Sequence, residues 1–479
     1  MMTPKCTRRG FLAGLGTATA GFALAPYLFA DESKSARPNI LLITADDMNF
    51  DSLGVTGCKV PDITPNIDAL ASQGMRFEHA HVTIAVCQPS RSALMTGRYP
   101  HRNGAMGFEP IKPDVPTLQE SLSAAGYLNG IMAKVVHLAP KPKFHWDVVI
   151  EANDLVQGRD PNLYFKYSKA FFDRAKSENK PFFLMANSQD PHRPFPGTEQ
   201  SERQNHPKPS RIYKPEEITV PGFLPNDIPG IREEIAQYFS GVRRCDDTVG
   251  QILRALKESG MEGNTLVMFL SDNGISMPFA KANCYNASTA TPLIVRWPEK
   301  VKPGVVNKKD FVSGVDFTPT VLDVTGAKPV SGMDGRSFLP LLKGKAQDDR
   351  DKVFTFFNTT SANNDYPMRC VRNAKFSYIY NSWADGKRVY QNEAKGGMAF
   401  KAMASAAAAN KEVAERVKFF EFRTPEEFYD LTADPNELKN LIDDPKCKDT
   451  IKKLRAEMLA MMKATGDPLL DQFTKLASQ

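Results

Sequence analysis

Histidine is scarce in this chain of 479 residues, which contains only seven, and none of them adjoins a pair of neighbouring acidic residues. A site with two zinc ions needs several nitrogen ligands, so this scarcity argues against one. The seven cysteines are widely scattered and predict neither a disulfide framework nor a zinc motif. The sequence also lacks internal repeats, and its net charge of +6 gives no indication of nucleic-acid binding.

The N-terminal segment has paired arginines, Arg8 and Arg9, before an apolar stretch rich in glycine and alanine that runs to Ala30. This pattern is typical of a bacterial twin-arginine export signal and predicts a signal peptide over residues 1–30. An uncleaved tether is the alternative, but the stretch is poorly hydrophobic for a bilayer-spanning helix. We therefore expect a periplasmic or secreted protein without a stable membrane anchor.

Short apolar runs alternate with amphipathic segments over most of the chain. This alternation predicts an α/β fold with a large, mostly parallel sheet sandwiched by helices, in a domain of residues 37–350. Residues 351–479 contain more isolated strand patterns and a terminal helix, and they predict a smaller α+β domain with an antiparallel sheet. The expected buried strands of the first domain are residues 38–45, 127–133, 181–187, 265–270 and 291–297.

Two of the predicted strands are followed at once by oxygen-bearing side chains. Asp46 and Asp47 follow residues 38–45, while Asp272 and Asn273 come just after residues 265–270. Ligands of open α/β sheets bind beyond the carboxyl ends of the strands, so we expect the four side chains to converge. An oxygen-rich group of this kind suits calcium, suits magnesium less well, and differs from the nitrogen and sulfur ligands of zinc.

Four basic side chains also follow predicted strands. Lys134 and His137 come after residues 127–133, His192 lies in a proline-flanked loop after residues 181–187, and Lys281 is nine residues beyond Asp272. Taken singly, such residues are more often solvated surface groups. They could nevertheless point into the same crevice as Asp46, because loops beyond strand ends often carry function.

A pentapeptide of the form Cys-x-Pro-Ser-Arg stands at residues 87–91, before a segment that could continue as a helix. An arbitrary cysteine is usually an inert buried thiol. This pentapeptide, however, resembles the signature of the formylglycine-dependent type I sulfatases of the alkaline phosphatase superfamily. Further motifs recur in the order of that family: Asp46-Asp47, Lys134-Val-Val-His137, Asp190-Pro-His192, Ser271-Asp-Asn-Gly274 and the segment from Phe428 to Leu441.

The resemblance implies an alkaline-phosphatase-like fold and two additions to the chain. Cys87 would be oxidised to formylglycine by the formylglycine-generating enzyme during maturation, and its aldehyde hydrate would supply the nucleophilic oxygen. One calcium ion would be bound by the modified residue together with four further ligands. The implied metal site is Asp46, Asp47, Cys87, Asp272 and Asn273.

Roles for the basic residues are implied in the same way. Arg91 would anchor the hydrate, and Lys134 and Lys281 would neutralise sulfate oxygens as charge builds in the transition state. His137 would remove a proton from the second hydroxyl group of the hydrate. His192 would contact the leaving group and could donate a proton to it.

Within the family, the chain most resembles sulfatases like N-sulfoglucosamine sulfohydrolase (heparan sulfamidase), through Asp190-Pro-His-Arg193 and Tyr366-Pro-Met-Arg369. This likeness implies that Arg369 binds substrate together with Lys134, His192 and Lys281. The match is incomplete, because residues 359–365 lack the His-His-Glu stretch of that pattern and Lys281 replaces an arginine. The expected activity is release of sulfate from a sulfated saccharide, either N-sulfoglucosamine or an O-sulfated glycan of a host, a mucin or a marine polysaccharide.

Two other functions remain open on the sequence. A phosphatase or phosphodiesterase of the same superfamily is the nearest enzymatic alternative, although such enzymes often use two zinc ions and more histidine ligands. The other is a catalytically inactive protein that binds sulfated glycans, in which Cys87 stays a thiol. The oligomeric state is left open.

Overall fold

A computed structural model describes residues 37–478 of the chain. The predicted signal peptide, residues 1–30, lies outside the described residues. One compact unit begins at Arg37 and contains both sheets of the structure. Within residues 37–478, none of the helices combines the length and the apolar character that crossing a bilayer requires.

The larger sheet has eight strands, which are β1 (Asn39–Asp46), β2 (Met75–His81), β3 (Leu128–Met132), β4 (Val148–Ile150), β5 (Phe182–Pro191), β6 (Thr265–Ser271), β7 (Leu293–Arg296) and β8 (Val305–Ser313). Their order across the sheet is β4-β3-β5-β1-β6-β7-β2-β8. Neighbouring strands are parallel except where β7 pairs with β6 and β2. The predicted large, mostly parallel sheet is therefore confirmed.

The unbroken apolar sequence of β1 follows from its central position. Every residue of this strand is buried. Because side chains alternate across a strand, Leu41 and Ile43 enter the core on one face of the sheet, and Ile40 and Leu42 enter the core on the other. A strand that is covered on both faces needs apolar residues at successive positions.

Helices cover both faces of this sheet. The long helix α7 contributes Ile235 and Val242 to the core that contains Leu41, while α4 and α9 contribute Leu118 and Val321 to the opposite core. The helices are α1 (Pro65–Ser72), α2 (Cys87–Thr96), α3 (Pro100–Asn103), α4 (Leu118–Ala124), α5 (Pro161–Ser177), α6 (Glu199–Arg203), α7 (Pro229–Ser259), α8 (Asn286–Thr289), α9 (Phe317–Thr325), α10 (Leu339–Leu342), α11 (Met398–Ala406), α12 (Lys411–Phe422), α13 (Lys448–Thr465) and α14 (Leu470–Ala477).

The smaller sheet is antiparallel, as predicted, and contains β9 (Lys352–Thr359), β10 (Asp365–Asn373), β11 (Phe376–Asn381) and β12 (Glu426–Asp430) in the order β12-β11-β10-β9. Strand β9 begins beside the predicted domain boundary, which itself stays a prediction. The five buried strands expected in the larger sheet are present within a few residues. Three strands of this sheet were not predicted: β4 and β8, which are its two edges, and β2, which lies next to β8 and mixes polar with apolar residues.

Glu427 of β12 joins the smaller sheet to the larger one. Its carboxylate is buried, lies 2.6 Å from a guanidinium nitrogen of Arg423, and accepts a 2.8 Å hydrogen bond from the hydroxyl of Tyr285. Tyr285 immediately precedes α8, in the connection between β6 and β7. The charge of Arg423 is thus compensated at the contact between the two sheets.

We predict that Glu427→Gln destabilises the protein, because it leaves Arg423 buried without a counter-charge. Loss of one partner of a buried ion pair costs about 3–5 kcal/mol. The matched control is Glu415→Gln, whose pair with Lys411 has the same sequence spacing but side chains 69% and 90% exposed. That control should change the free energy of unfolding by less than about 1 kcal/mol. Denaturant-induced unfolding measures both variants, and equal decreases in their free energies of unfolding would contradict this prediction.

Candidate active site

The carboxyl ends of β1 and β6 place the predicted oxygen ligands side by side. The two strands are parallel with Ala45 opposite Ser271, and the backbone N–H of Asp272 donates to the carbonyl of Ala45 over 3.2 Å. Asp46 and Asp47 therefore turn away from the sheet next to Asp272 and Asn273. All four side chains are buried.

Cys87 joins this group from the first turn of α2. One potential ligand atom from each of Asp46, Asp47, Cys87 and Asp272 lies within 4.8 Å of the others. The Cys87 Sγ atom is 3.4 Å from Asp46 Oδ1, and burial followed by the Asp46 charge raises the pKa of the thiol well above its ordinary value. An unmodified Cys87 is therefore protonated in this setting and is a weak nucleophile.

Arg91 stands one helical turn beyond Cys87 and connects three strands. Its guanidinium is fully buried, lies 2.7 Å from Asp272 Oδ2, and donates to Thr44 Oγ1 of β1 over 2.8 Å. The same group donates to Asn187 Oδ1 of β5 over 2.5 Å. A guanidinium nitrogen also lies 3.9 Å from Asp46 Oδ1, so Arg91 compensates two carboxylates and fixes the position of α2 against the sheet.

The donor atoms of this cluster fit a hard cation. Asn273 Nδ2 donates to Asp47 Oδ1 over 2.7 Å. Asn273 Oδ1 and Asp47 Oδ2 are buried and have no hydrogen-bond partner among residues 37–478. Burial also raises the pKa of Asp272 to about 7, against the opposing effect of Arg91. A divalent cation would pair with the unpartnered oxygens and relieve the repulsion among the carboxylates.

Two lysines contact the carboxylates from other loops. Lys134, just after β3, has a positive φ of 53° and pairs with Asp46 Oδ2. The Lys281 ammonium lies 2.7 Å from Asp47 Oδ1 and 2.8 Å from Oε1 of Glu393. Although burial opposes its charge, Asp47 and the other anions raise the pKa of Lys281 well above its usual value. Both predicted lysines are thus beside the cluster.

The two predicted histidines lie at its rim. His192 Nε2 is 3.9 Å from Asp47 Oδ2, and the His192 side chain is 33% exposed. His137 follows Lys134 in the same short turn, and burial together with the Lys134 charge lowers the pKa of His137 well below 6.5. The imidazole of His137 is therefore neutral at neutral pH.

The loop that carries His192 is held by a buried ion-pair group whose members were not among the predicted site residues. Asp190 pairs with Arg159 at 2.5 Å and with Arg244 at 2.7 Å. Arg159 also donates to the carbonyls of His192 and Arg193, each over 3.0 Å. Asp190 belongs to the quoted Asp-Pro-His motif, so its position was a usable signal, whereas no local pattern marked the two arginines as its partners.

Arg369 is the one predicted site residue that the structure does not bring to the cluster. Its side chain is 1% exposed, and its guanidinium lies 2.6 Å from Asp467 and donates to Asn358 Oδ1 over 2.9 Å. These contacts describe a structural ion pair within the C-terminal region. The substrate-binding role that the resemblance implied for Arg369 therefore has no support in its contacts.

The cluster brings together carboxylates and a cysteine that could hold a metal ion, with two lysines beside them. The chain belongs to the sulfatase family, whose model matches residues 38–327, and a second model, for the C-terminal part of N-sulphoglucosamine sulphohydrolase, matches residues 275–395. It is accordingly a sulfuric ester or sulfamate hydrolase. The resemblance found in the sequence is confirmed.

Individual relatives are similar over nearly the whole chain. Human N-sulphoglucosamine sulphohydrolase is 30% identical, over 90% of this chain and 91% of the human protein. An ulvan-active sulfatase of Formosa agariphila is 29% identical, over 91% of this chain and 82% of its own length. A solved protein in complex with its substrate D-glucosamine-2-N,6-O-disulfate shares the fold with a TM-score of 0.68 and 20% identity, over 90% of this chain and 99% of that chain.

We predict that calcium stabilises the protein through this cluster. A cation that binds only the folded state at 100 times its Kd adds about 2.7 kcal/mol to the free energy of unfolding. Asp47→Asn should abolish most of that gain, because it removes a buried carboxylate charge. Calcium titrations followed by thermal unfolding test this, with Asp323→Asn, an exposed aspartate on α9, as the control. Equal stabilisation of both variants by calcium would contradict the prediction that calcium binds at this cluster.

Proposed function

We propose that this protein releases sulfate from a sulfated saccharide by means of a formylglycine made from Cys87 and a bound calcium ion. The observation that carries the proposal is the convergence of Cys87 with Asp46, Asp47 and Asp272 within 4.8 Å. Formylglycine hydrate supplies a nucleophilic oxygen, and calcium beside it supplies positive charge that favours the ionised form. Asp46, Asp47, Asp272, Asn273 and the modified Cys87 would hold the ion.

The lysines bind and orient the sulfate group in this proposal. Each now compensates a carboxylate, Lys134 at Asp46 and Lys281 at Asp47, so a cation that neutralises those carboxylates frees the ammonium groups to face sulfate oxygens. Fixed positive groups aimed at developing charge stabilise a transition state with little reorganisation. Arg91 remains bound to Asp272 and keeps residue 87 in place.

The histidines accept and donate protons in this proposal. Neutral His137 beside Lys134 can accept a proton from a hydroxyl group on residue 87. His192, which is more exposed, lies where the sugar side of the substrate would approach, and it can donate a proton to the departing oxygen or nitrogen. The loop contacts of Arg159 and Asp190 hold His192 in that position.

N-sulfoglucosamine is the saccharide we favour as substrate. Support comes from the match of residues 275–395 to the C-terminal model of N-sulphoglucosamine sulphohydrolase and from the likeness to the human enzyme. The similar ulvan-active sulfatase favours the second candidate, hydrolysis of an O-sulfate on another glycan. A phosphatase with two zinc ions is disfavoured, because the ligand cluster among the described residues contains no histidine.

Maturation and location complete the proposal. The formylglycine-generating enzyme would act on Cys87 before export, since the residue is buried once the chain has folded. Export by the twin-arginine pattern of residues 1–30 would then deliver a folded protein to the periplasm or the exterior. That location suits an enzyme whose substrate is an external sulfated glycan.

We predict that protein purified from its native host carries formylglycine at position 87 and releases sulfate. Mass spectrometry of the tryptic peptide ending at Arg91 detects the modification, and assays with N-sulfated and O-sulfated saccharides measure release. Cys87→Ala should abolish release, whereas Cys447→Ala, which alters a half-buried thiol outside the cluster, should retain it. An unmodified thiol in protein that binds the saccharides without hydrolysing them would instead support the inactive glycan-binding alternative.

We also predict that the acid limb of the kcat/KM profile lies below pH 6.5. Burial and Lys134 lower the pKa of His137, so its imidazole becomes protonated, and unable to accept a proton, only as the pH falls through that lowered value. His137→Ala should reduce kcat by about 10²–10⁴-fold. The exposed His145→Ala provides the control. A limb above pH 6.5, or equal rates in the two variants, would contradict this role.

A further inference from the structure

An acidic side chain from the C-terminal part of the chain reaches the cluster. Glu393 begins a short turn, Glu393–Gly396, and its Oε1 atom lies 2.8 Å from the ammonium of Lys281. The neighbouring Asn392 donates from Nδ2 to the carbonyl of Lys281 over 3.4 Å. This segment follows the third strand of the smaller sheet, so residues distant from the Cys87 motif help to shape the site.

Glu393 lies on the side of the cluster that meets solvent. Its side chain is 29% exposed, whereas those of Lys281, which it contacts, and Asp47, on the other side of that ammonium, are 3% and 2% exposed. His192, with 33% of its side chain exposed, is close enough to influence the ionisation of Glu393. Glu393 and His192 are thus partly exposed side chains that the sugar of a sulfate held at Lys281 could reach.

The Glu393 carboxylate is held in place and remains ionised. Ser361 Oγ donates to its Oε2 atom over 3.2 Å. Although burial acts to raise the pKa of Glu393, the Lys281 ammonium lowers it below its ordinary value. Ser361 belongs to the segment of residues 359–365, where this sequence departs from the sulfamidase-like pattern. The partner that orients Glu393 thus comes from a divergent loop.

The charges around Glu393 limit which sugars can bind. Among the described residues, four basic side chains lie within 3.9 Å of the cluster's carboxylates. Each already has an anionic partner: Arg91 has Asp272 and Asp46, Lys134 has Asp46, His192 has Asp47, and Lys281 has both Asp47 and Glu393. The scissile sulfate would use Lys281 as well. A second anionic group beside Glu393 would therefore meet a carboxylate with no further cation from this set to compensate it.

Resting on the sulfatase function proposed for the site, we infer that Glu393 determines substrate specificity. Its carboxylate accepts a hydrogen bond from a hydroxyl or amino group of the sugar that carries the scissile sulfate. The same carboxylate disfavours sugars that carry a second sulfate on that hydroxyl or amino group. The substrate class is thus a monosulfated sugar unit with a hydrogen-bond donor next to the scissile group.

The test compares two monosulfated sugars with their disulfated counterpart in two measurements. The probes are glucosamine N-sulfate, glucosamine 6-sulfate and glucosamine N,6-disulfate. First, kcat/KM for sulfate release is measured for the wild type and for Glu393→Gln, an isosteric change that removes the charge. Second, calorimetry gives Kd for the same sugars in a Cys87→Ser background with and without Glu393→Gln, so that binding is read without turnover.

The control variant is Glu421→Gln. Glu421 pairs with Lys395, in the same turn as Glu393, at 2.6 Å, and it has no described contact with the cluster. This variant removes one carboxylate from the same region and should leave both measurements at wild-type values. It therefore separates a general change in the charge of the region from the local effect of Glu393.

The wild type should prefer the monosulfated sugar, and Glu393→Gln should reduce that preference about tenfold in both kcat/KM and Kd, since one like-charge repulsion is removed. An equal fall in kcat for the monosulfated and disulfated sugars, with unchanged Kd ratios, would overturn the inference and show that Glu393 only positions Lys281. Sulfate release with no preference in the wild type would also overturn it. Absence of both binding and release for all three sugars would overturn the proposed glucosamine substrate as well.

Discussion

Three carboxylates buried at one edge of the larger sheet are the constraint on which the rest of the site depends. Asp46, Asp47 and Asp272 have lost their water, and like charges so close together in a protein interior repel strongly. Each therefore has a basic partner, and the partners come from three different parts of the chain: helix α2, the loop after β3 and the loop after β6. The unpartnered oxygens of Asp47 and Asn273 show that these partners do not satisfy every ligand atom. A bound cation would complete the compensation.

The parallel arrangement of the central strands makes this concentration of charge possible. Strands β5, β1 and β6 lie side by side and end at the same edge, so residues far apart in sequence meet there. Arg91 contacts a residue from each of these strands or its following turn: Asn187, Thr44 and Asp272. Its guanidinium has a fixed planar geometry with several donors, which a lysine ammonium could not reproduce. Arg91 consequently holds α2, and with it Cys87, at a defined distance from the carboxylates.

The sequence predicted the parts of the site that follow directly from strand ends. Asp46, Asp47, Asp272, Asn273 and Lys134 each follow a buried apolar run, and such runs are legible because a central strand is covered on both faces. The edge strand β8 and its neighbour β2 are only partly buried, so their mixed composition gave no comparable signal. Arg369 was predicted to lie at the site but lies away from the cluster, for a different reason. A motif gives the residue but not the direction of its side chain, and Asp467, the partner that buries Arg369, lies 98 residues further along the chain. Glu393 was missed because its importance depends entirely on tertiary contact with Lys281.

The site therefore combines two sources of residues with different constraints. The groups at the strand ends are buried and mutually paired, so a change in any one of them leaves another charge uncompensated. Glu393 and Ser361 belong to loops outside the larger sheet, and the Glu393 side chain is partly open to solvent. Substitution there disturbs fewer buried charges, so under the proposed function it would alter contacts of the sugar and leave the groups proposed to bind sulfate in place. Lys281 is the link between the two parts, since its ammonium contacts both Asp47 and Glu393. Through this lysine, the residue that we propose to select the sugar acts on the same positive charge that we propose to bind the sulfate.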